Sequence, residues 1–368
     1  MDKKFVMGIA AMAALTLVSC SSDDLDSVSG DSSKNEAISF DGYLGRSAVA
    51  VNGTRGSEET KETLKTKGFG VFGNYIADAG QTSDANFFKN QKVTYSGTKW
   101  TYTPLKYWPT NGKIDFLAYA PFKDGQELIA NTTTFDFTVA DKAANQIDLL
   151  WANATGQIKT NFEGTTKEKV NFHFYHALSR LGYTVKLSGN YSSDNATFTL
   201  KKITLAGSPD ETKGAFYTSG TIDLSKANKE ANLWSGQTGQ QKFGWFSGDY
   251  QVTSSTASHP TDPDSKSDYL FVIPQDFSST EDGADKLYVI VEYDVTYKSG
   301  TPATTITNKV YKKLPIKFEQ GKAYMLNLTI GLPIEFDVDV DTYAGVEPWD
   351  VVNDVPGDIN SWDDISRK

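Results

Sequence analysis

The chain has 368 residues, a net charge of −10 and a single cysteine, Cys20. The length suits two domains rather than one. The acidic balance, with no basic cluster, excludes nucleic-acid binding, and a lone cysteine excludes an intramolecular disulfide and a cysteine-based metal site. Hydrophobic residues make up 39%, enough for a sizeable core, and Tyr, Phe, Thr and Val recur in short runs, so the expected class is all-β.

Residues 1–19 read as a secretory signal, with Lys3 and Lys4 as its charged region and residues 5–18 as its apolar one. That run is shorter than the about 20 residues of a membrane span. Leu17-Val18-Ser19-Cys20 resembles a bacterial lipobox, in which the cysteine is acylated, so Cys20 is the expected lipidation site and would anchor the chain without crossing the bilayer. Residues 20–36 are rich in Ser and Asp and form the expected flexible tether, reaching on the order of 20 Å.

Residues 38–44 predict the first β-strand, with Ile38 and Phe40 at the spacing that puts side chains on one face and Tyr43 near its end. Residues 45–56 then carry Arg46, Gly53 and Arg55 in a loop of small and polar residues. A core strand followed at once by an exposed arginine is one that a trypsin-like protease can release, leaving a slot in a β-sandwich. Arg55 is the first cleavage candidate and Arg46 its rival, closer to the strand end.

Residues 57–67 read as charged and polar. Strands are expected at 68–75, 92–95, 99–103, 113–120, 134–139 and 147–151, with Pro109 and Asn111-Gly112 supplying turn geometry between aromatic-rich strands. Short helices are expected only near 84–89, 141–145 and 224–230. The polar stretch 153–169 separates two halves. Further strands are expected at 170–187, 196–205, 213–222, 241–246, 268–273, 286–297, 308–318, 322–330 and 335–340, with 254–267 as an exposed loop. The expected organisation is two β-sandwiches in series, 37–165 and 166–333, followed by residues 334–368.

Several constellations resemble chemistry. Gly68, Gly70 and Gly73 match a dinucleotide fingerprint, but lie inside a strand pattern with no helix after it. Asp337, Asp339 and Asp341 match the start of a calcium loop, but Thr342 and Pro348 replace the required Gly and Glu, so the aspartates read as the wet face of a strand. His173 and His176 are three apart, which on a strand sends them to opposite faces, and His259 lies in a distant loop. No nucleophile stands beside a base, so neither catalytic residue, metal nor cofactor is expected. Trp100, Tyr107, Trp108, Trp234 and Trp245 are either sandwich core or a sugar-binding platform.

An ordered set of motifs then resembles a known family. It runs from Cys20 and the first strand to Thr54-Arg55-Gly56, Tyr107-Trp108-Pro109, Ile114-Asp115-Phe116-Leu117-Ala118-Tyr119, Ile147-Asp148-Leu149-Leu150, His176-Ala177-Leu178-Ser179-Arg180-Leu181, Gly321-Lys322-Ala323-Tyr324 and Trp349. The set is similar to the fimbrillin, or Mfa-like, family of Bacteroidales pilus subunits, and Asp23-Asp24 after the cysteine resembles the export signal of Bacteroides surface lipoproteins. The resemblance implies two transthyretin-like β-sandwich domains and delivery to the outer membrane through the Cys20 lipid. It also implies removal of the first strand, with Ile38, Phe40 and Tyr43, by an arginine-specific or trypsin-like protease. A C-terminal segment of the next pilus subunit then fills the groove. Here the donor candidates are Phe336, Val338, Val340, Val346 and Trp349, in a cell-adhesion role. The alternative left open is a monomeric surface lipoprotein that binds glycan or another host or bacterial surface ligand.

Overall fold

The structure is a computed structural model that describes residues 37–44, 58–80, 82–159, 169–226, 232–260, 269–332 and 335–343. Strands dominate it. In chain order they are β1 (Phe40–Leu44), β2 (Phe69–Ile76), β3 (Asp84–Tyr95), β4 (Trp100–Thr101), β5 (Lys113–Ala120), β6 (Thr134–Thr138), β7 (Leu150–Gln157) and β8 (Val170–His176). Then follow β9 (Ser179–Leu187), β10 (Ala196–Ala206), β11 (Phe216–Asp223), β12 (Trp234–Gln241), β13 (Phe243–Val252), β14 (Leu270–Val272) and β15 (Gln275–Asp276). The last are β16 (Tyr288–Tyr297), β17 (Thr304–Lys313), β18 (Lys317–Phe318), β19 (Ala323–Gly331) and β20 (Glu335–Tyr343).

These strands enclose two cores. The first holds Ile38, Phe40, Phe69, Val71, Phe88, Ile114, Phe116, Phe172 and Phe174. It lies against a seven-stranded sheet of order β1-β8-β7-β5-β2-β3-β4. Strands β7 and β8 share only the pairs Leu150 with His176 and Trp151 with Tyr175. The second core is larger and includes Tyr183, Leu200, Phe216, Phe271, Tyr293, Tyr324 and Leu328. It is built by the sheets β13-β10-β16-β17, β12-β11-β6, β14-β9-β19-β20 and β15-β18.

The two cores share a wall. On β2, β5 and β7 one face, including Val71, Phe116 and Leu150, points into the first core. The other face, with Phe72, Leu117, Tyr119 and Trp151, packs into the second. A sheet covered on both sides needs no polar alternation, which is why 114–120 reads as a nearly continuous apolar run.

The division at 165/166 differs from the sheets. Strand β8 pairs with β1 and β7 and contributes Phe172 and Phe174 to the first core. Strand β6, though earlier in sequence, pairs with β11 and buries Phe135 in the second. Partner choice across a sheet is a long-range matter that strand spacing does not encode. Residues 84–89, expected as a short helix, belong instead to β3, and β12 adds a strand where the sequence pattern predicts none.

The polar stretch 57–67 holds the one α-helix among the described residues, α1 (Lys61–Lys67). Thr60 caps it: its hydroxyl accepts from the Thr63 amide at 3.2 Å, while the Thr60 amide donates to the Thr63 hydroxyl at 2.6 Å. Glu62 lies in the first turn and Lys65 and Lys67 in the last, matching the helix dipole. Gly68 ends it at φ +72°. Leu64 is the side chain it buries.

Candidate functional site

Strand β1 ends its sheet, paired along its length on one side and tied on the other only through the two residues Ala37 and Ile38 that lead into it. On one side it runs parallel to β8 in the register Phe40 with Val170 through Leu44 with Phe174, and the Val170 amide donates to Ser39 O at 2.9 Å. On the other, Ala37 bridges Tyr107 in antiparallel fashion and the Ile38 amide donates to Lys106 O at 2.8 Å. The Tyr102 hydroxyl donates to Ile38 O at 2.7 Å. Burial of that phenol pushes its pKa up, against a backbone hydrogen bond from Lys106.

The inward side chains close the first core. Ile38 is 1% exposed, Phe40 2% and Leu44 0%. Phe40 is surrounded by four aromatic rings: Phe88 at 5.5 Å, Tyr102 at 5.3 Å, Phe116 at 5.4 Å and Phe172 at 5.6 Å between centroids. Gly42 lies beneath the ring of Phe69, and a Cβ at that position would stand 2.9 Å from Phe69 Cε1. The strand thus presents large side chains at 38, 40 and 44 and must present none at 42. Burying three such side chains stabilises by about 1.5–3 kcal/mol each. Taking the strand out would expose those pockets and leave backbone groups of β8 and of the 106–107 strip unpaired.

Tyr43 faces outward, 50% exposed, with its ring 5.3 Å from His173, which stacks in turn on Tyr175 at 4.5 Å. It shares the strand with Ile38 and Phe40 but not their face, because its position is odd relative to theirs.

The cleavage candidates Arg46 and Arg55 lie outside the described residues, as do Cys20, Val346 and Trp349. From Glu58 onward the chain is fastened. Glu58 pairs with the buried Arg180 at 2.6 Å, whose guanidinium lies 4.4 Å from the Tyr269 ring. The Glu59 amide donates to Asp148 Oδ2 at 2.8 Å, and Asp148 Oδ1 meets His176 Nδ1 at 2.8 Å, both side chains fully buried. The Glu59 carboxylate pairs with Lys67. Burial raises the Glu59 pKa, the Lys67 ammonium opposes that, and Asp148 adds to it. The motifs containing Asp148, His176 and Arg180 are legible in the sequence, but the contacts that reach them from residues 58–59, Glu58 to Arg180 and the Glu59 amide to Asp148, are not. Buried carboxylates are rare, and no local pattern marks them.

Strand β20 is the edge of its sheet and pairs antiparallel with β19 along its whole length, Ala323 with Tyr343 through Gly331 with Glu335. Val338 is buried and Val340 half-buried against the second core. Phe336 belongs to the same strand. Asp337 and Asp339 are exposed, and Asp337 pairs with Lys312. The five aromatics considered as a sugar platform are not together. Trp100 and Trp108 are buried in the first core, Trp234 and Trp245 in the second, and Tyr107 is exposed.

The geometry defines a β-sandwich protein of two cores in which an N-terminal strand completes the first. A profile described as fimbrillin-like matches residues 54–349, and the chain belongs to that family. It is 26% identical to the fimbrium subunit Fim1C of Phocaeicola vulgatus, over 96% of this chain and 98% of that protein. The fold is similar to a crystal structure of a fimbrial protein from Bacteroides vulgatus, with TM-score 0.61 and 22% identity, covering 84% of this chain and 99% of that one. It is also similar to a cell-adhesion candidate of Parabacteroides distasonis, with TM-score 0.50 and 8% identity, covering 87% and 98%.

Proposed function

We propose that this chain is a fimbrial subunit in cell adhesion whose β1 is a temporary occupant of the first sandwich. In this reading the precursor reaches the outer membrane through a lipid on Cys20. An arginine-specific or trypsin-like protease cuts after Arg55 or Arg46, and β1 leaves. The C-terminal strand of a second subunit then takes its groove. Family membership supports the subunit role.

The observation that carries the exchange is the position of β1 at the end of its sheet, paired along its length with β8, tied at Ala37 and Ile38 just before it to residues 106–107, and burying Ile38, Phe40 and Leu44 in the first core. A groove left by such a strand recruits a replacement through backbone bonds and alternate side chains. The chain also holds a second copy of the strand's pattern. Ile38-Ser39-Phe40-Asp41-Gly42-Tyr43-Leu44 is echoed by Ile334-Glu335-Phe336-Asp337-Val338-Asp339-Val340. Ile and Phe recur at the positions of the two deepest pockets, and Val340 takes the place of Leu44. Val338 falls where Gly42 lies under Phe69, so that ring must shift to admit the donor. Val346 and Trp349 would extend the contact.

The test is limited trypsin digestion of the purified chain followed by incubation and gel electrophoresis without boiling. The expected result is loss of the peptide containing β1, then a ladder of heat-stable oligomers. Cleavage upstream of Glu58 that yields only monomers overturns the exchange. A monomer that then binds glycan would support the ligand-binding lipoprotein instead.

A further inference from the structure

The polar segment that follows the proposed cleavage loop is tied to both cores, and nothing in a strand-exchange scheme requires it to be. Glu58 reaches Arg180 on β9, a strand of the second core. The Glu59 amide reaches Asp148, which is itself held by His176 at the end of β8. Leu64, on α1, is buried in the first core beside β1. Within seven residues the chain therefore fastens to the second core, to the junction and to the first core.

The segment is also rich in trypsin targets. Lys61, Lys65 and Lys67 follow the loop directly, and Lys61 and Lys67 are exposed. In an unstructured chain each is as good a site as Arg55. Proteases act on segments that open locally, and the exposed tips of loops open most readily. Here opening requires breaking the Thr60 cap, withdrawing Leu64 and separating Glu58 from Arg180 and Glu59 from Asp148.

We infer that residues 58–67 form a strap that sets the C-terminal limit of proteolytic processing, so that cleavage which frees β1 stops before Lys61 and the chain stays bolted across both cores. Its occupant is fixed and internal, and its substrate is the protease-accessible chain itself. The strap specifies which basic residues are cut by holding three of them in a helix that cannot enter an extended protease site. It also keeps Leu64, part of the wall beside β1, in place when the strand has gone. This inference rests on the processing reading above for its biological purpose, but its physical content does not.

The experiment follows trypsin digestion of the full chain by intact mass over time, for the wild type, the double variant Glu58→Gln with Asp148→Asn, which weakens both named ties, and Leu64→Ser. In the wild type the large fragment should begin upstream of Glu58 and persist. In the variants it should be trimmed further at Lys61, Lys65 or Lys67, at a rate raised by at least about tenfold, the factor that loss of one charge-assisted hydrogen bond gives. Equal trimming rates in wild type and in every folded variant overturn the strap, as does wild-type trimming at Lys61 as fast as the upstream cut. Where the double variant fails to give a folded circular dichroism spectrum, Leu64→Ser and Glu58→Gln alone decide it. Absence of any cut between residues 45 and 57 would count against strand release. The rates at Lys61, Lys65 and Lys67 would still decide the strap.

Discussion

Replacing Phe40 with alanine isolates the contribution of β1 to its sandwich. The ring is 2% exposed and touches Phe88, Tyr102, Phe116 and Phe172. Truncating a fully buried Phe costs about 3–5 kcal/mol, because the transfer energy is lost and a cavity remains. Four aromatic walls leave little room to collapse, so the expected loss is about 4 kcal/mol, against the roughly 5–15 kcal/mol by which a domain is stable. At 1.4 kcal/mol per decade, the population with β1 out of its groove should rise by about three orders of magnitude. Hydrogen exchange reads this directly. The Ile38 and Val170 amides, bonded to Lys106 and Ser39 across the two edges of the strand, should lose protection by that factor. Amides of β16, deep in the second core, should keep theirs. Tyr43→Ala is the control, since Tyr43 is half exposed and meets His173 only on the outer face. Its cost should be within about 1 kcal/mol. Equal loss of protection in the two variants would refute the argument that the inward face of β1 holds the first core closed.

Two further outcomes follow from the same residues. Gly42→Val should destabilise by about 1–3 kcal/mol in urea unfolding through overpacking on Phe69, and Phe69→Leu in the same chain should recover part of that if the clash is with the ring. The Glu59 pKa lies above the ordinary carboxylate value of 4.5, because burial outweighs Lys67, and its Oε2 has no hydrogen-bond partner among the described residues. The folded state therefore binds the proton more tightly than the unfolded one. This stabilising contribution is complete below pH 4.5 and is lost as pH rises through the higher folded value. Urea midpoints measured across that window should fall less steeply with pH in Glu59→Gln than in the wild type. An unchanged slope would show that Glu59 does not titrate there.

Much of the architecture is legible in residue order. The alternation of Phe135 with polar neighbours, the Asp337-Asp339 face of β20 and the glycines inside β2 all follow from the two-residue period of a strand, which is a local property of the backbone. The family resemblance likewise rests on short motifs whose order survives in the chain. The helix α1 was harder to read, since its cap is a Thr-Thr pair rather than the usual Ser or Thr with Glu, and one buried leucine gives no period.

Residue order alone establishes that this chain is built of strands and that its first strand carries apolar residues on alternate positions. Periodicity needs only neighbours a few residues apart, so it can be read without a fold. The partners those strands choose emerge with the packed fold: β1 lies parallel to β8, β6 crosses to the second core, Gly42 sits under Phe69, and Glu58 and Glu59 are bound to Arg180 and Asp148. Such contacts join residues far apart in the chain. They are selected by the free energy of the whole packed core, to which no single stretch of sequence holds the key.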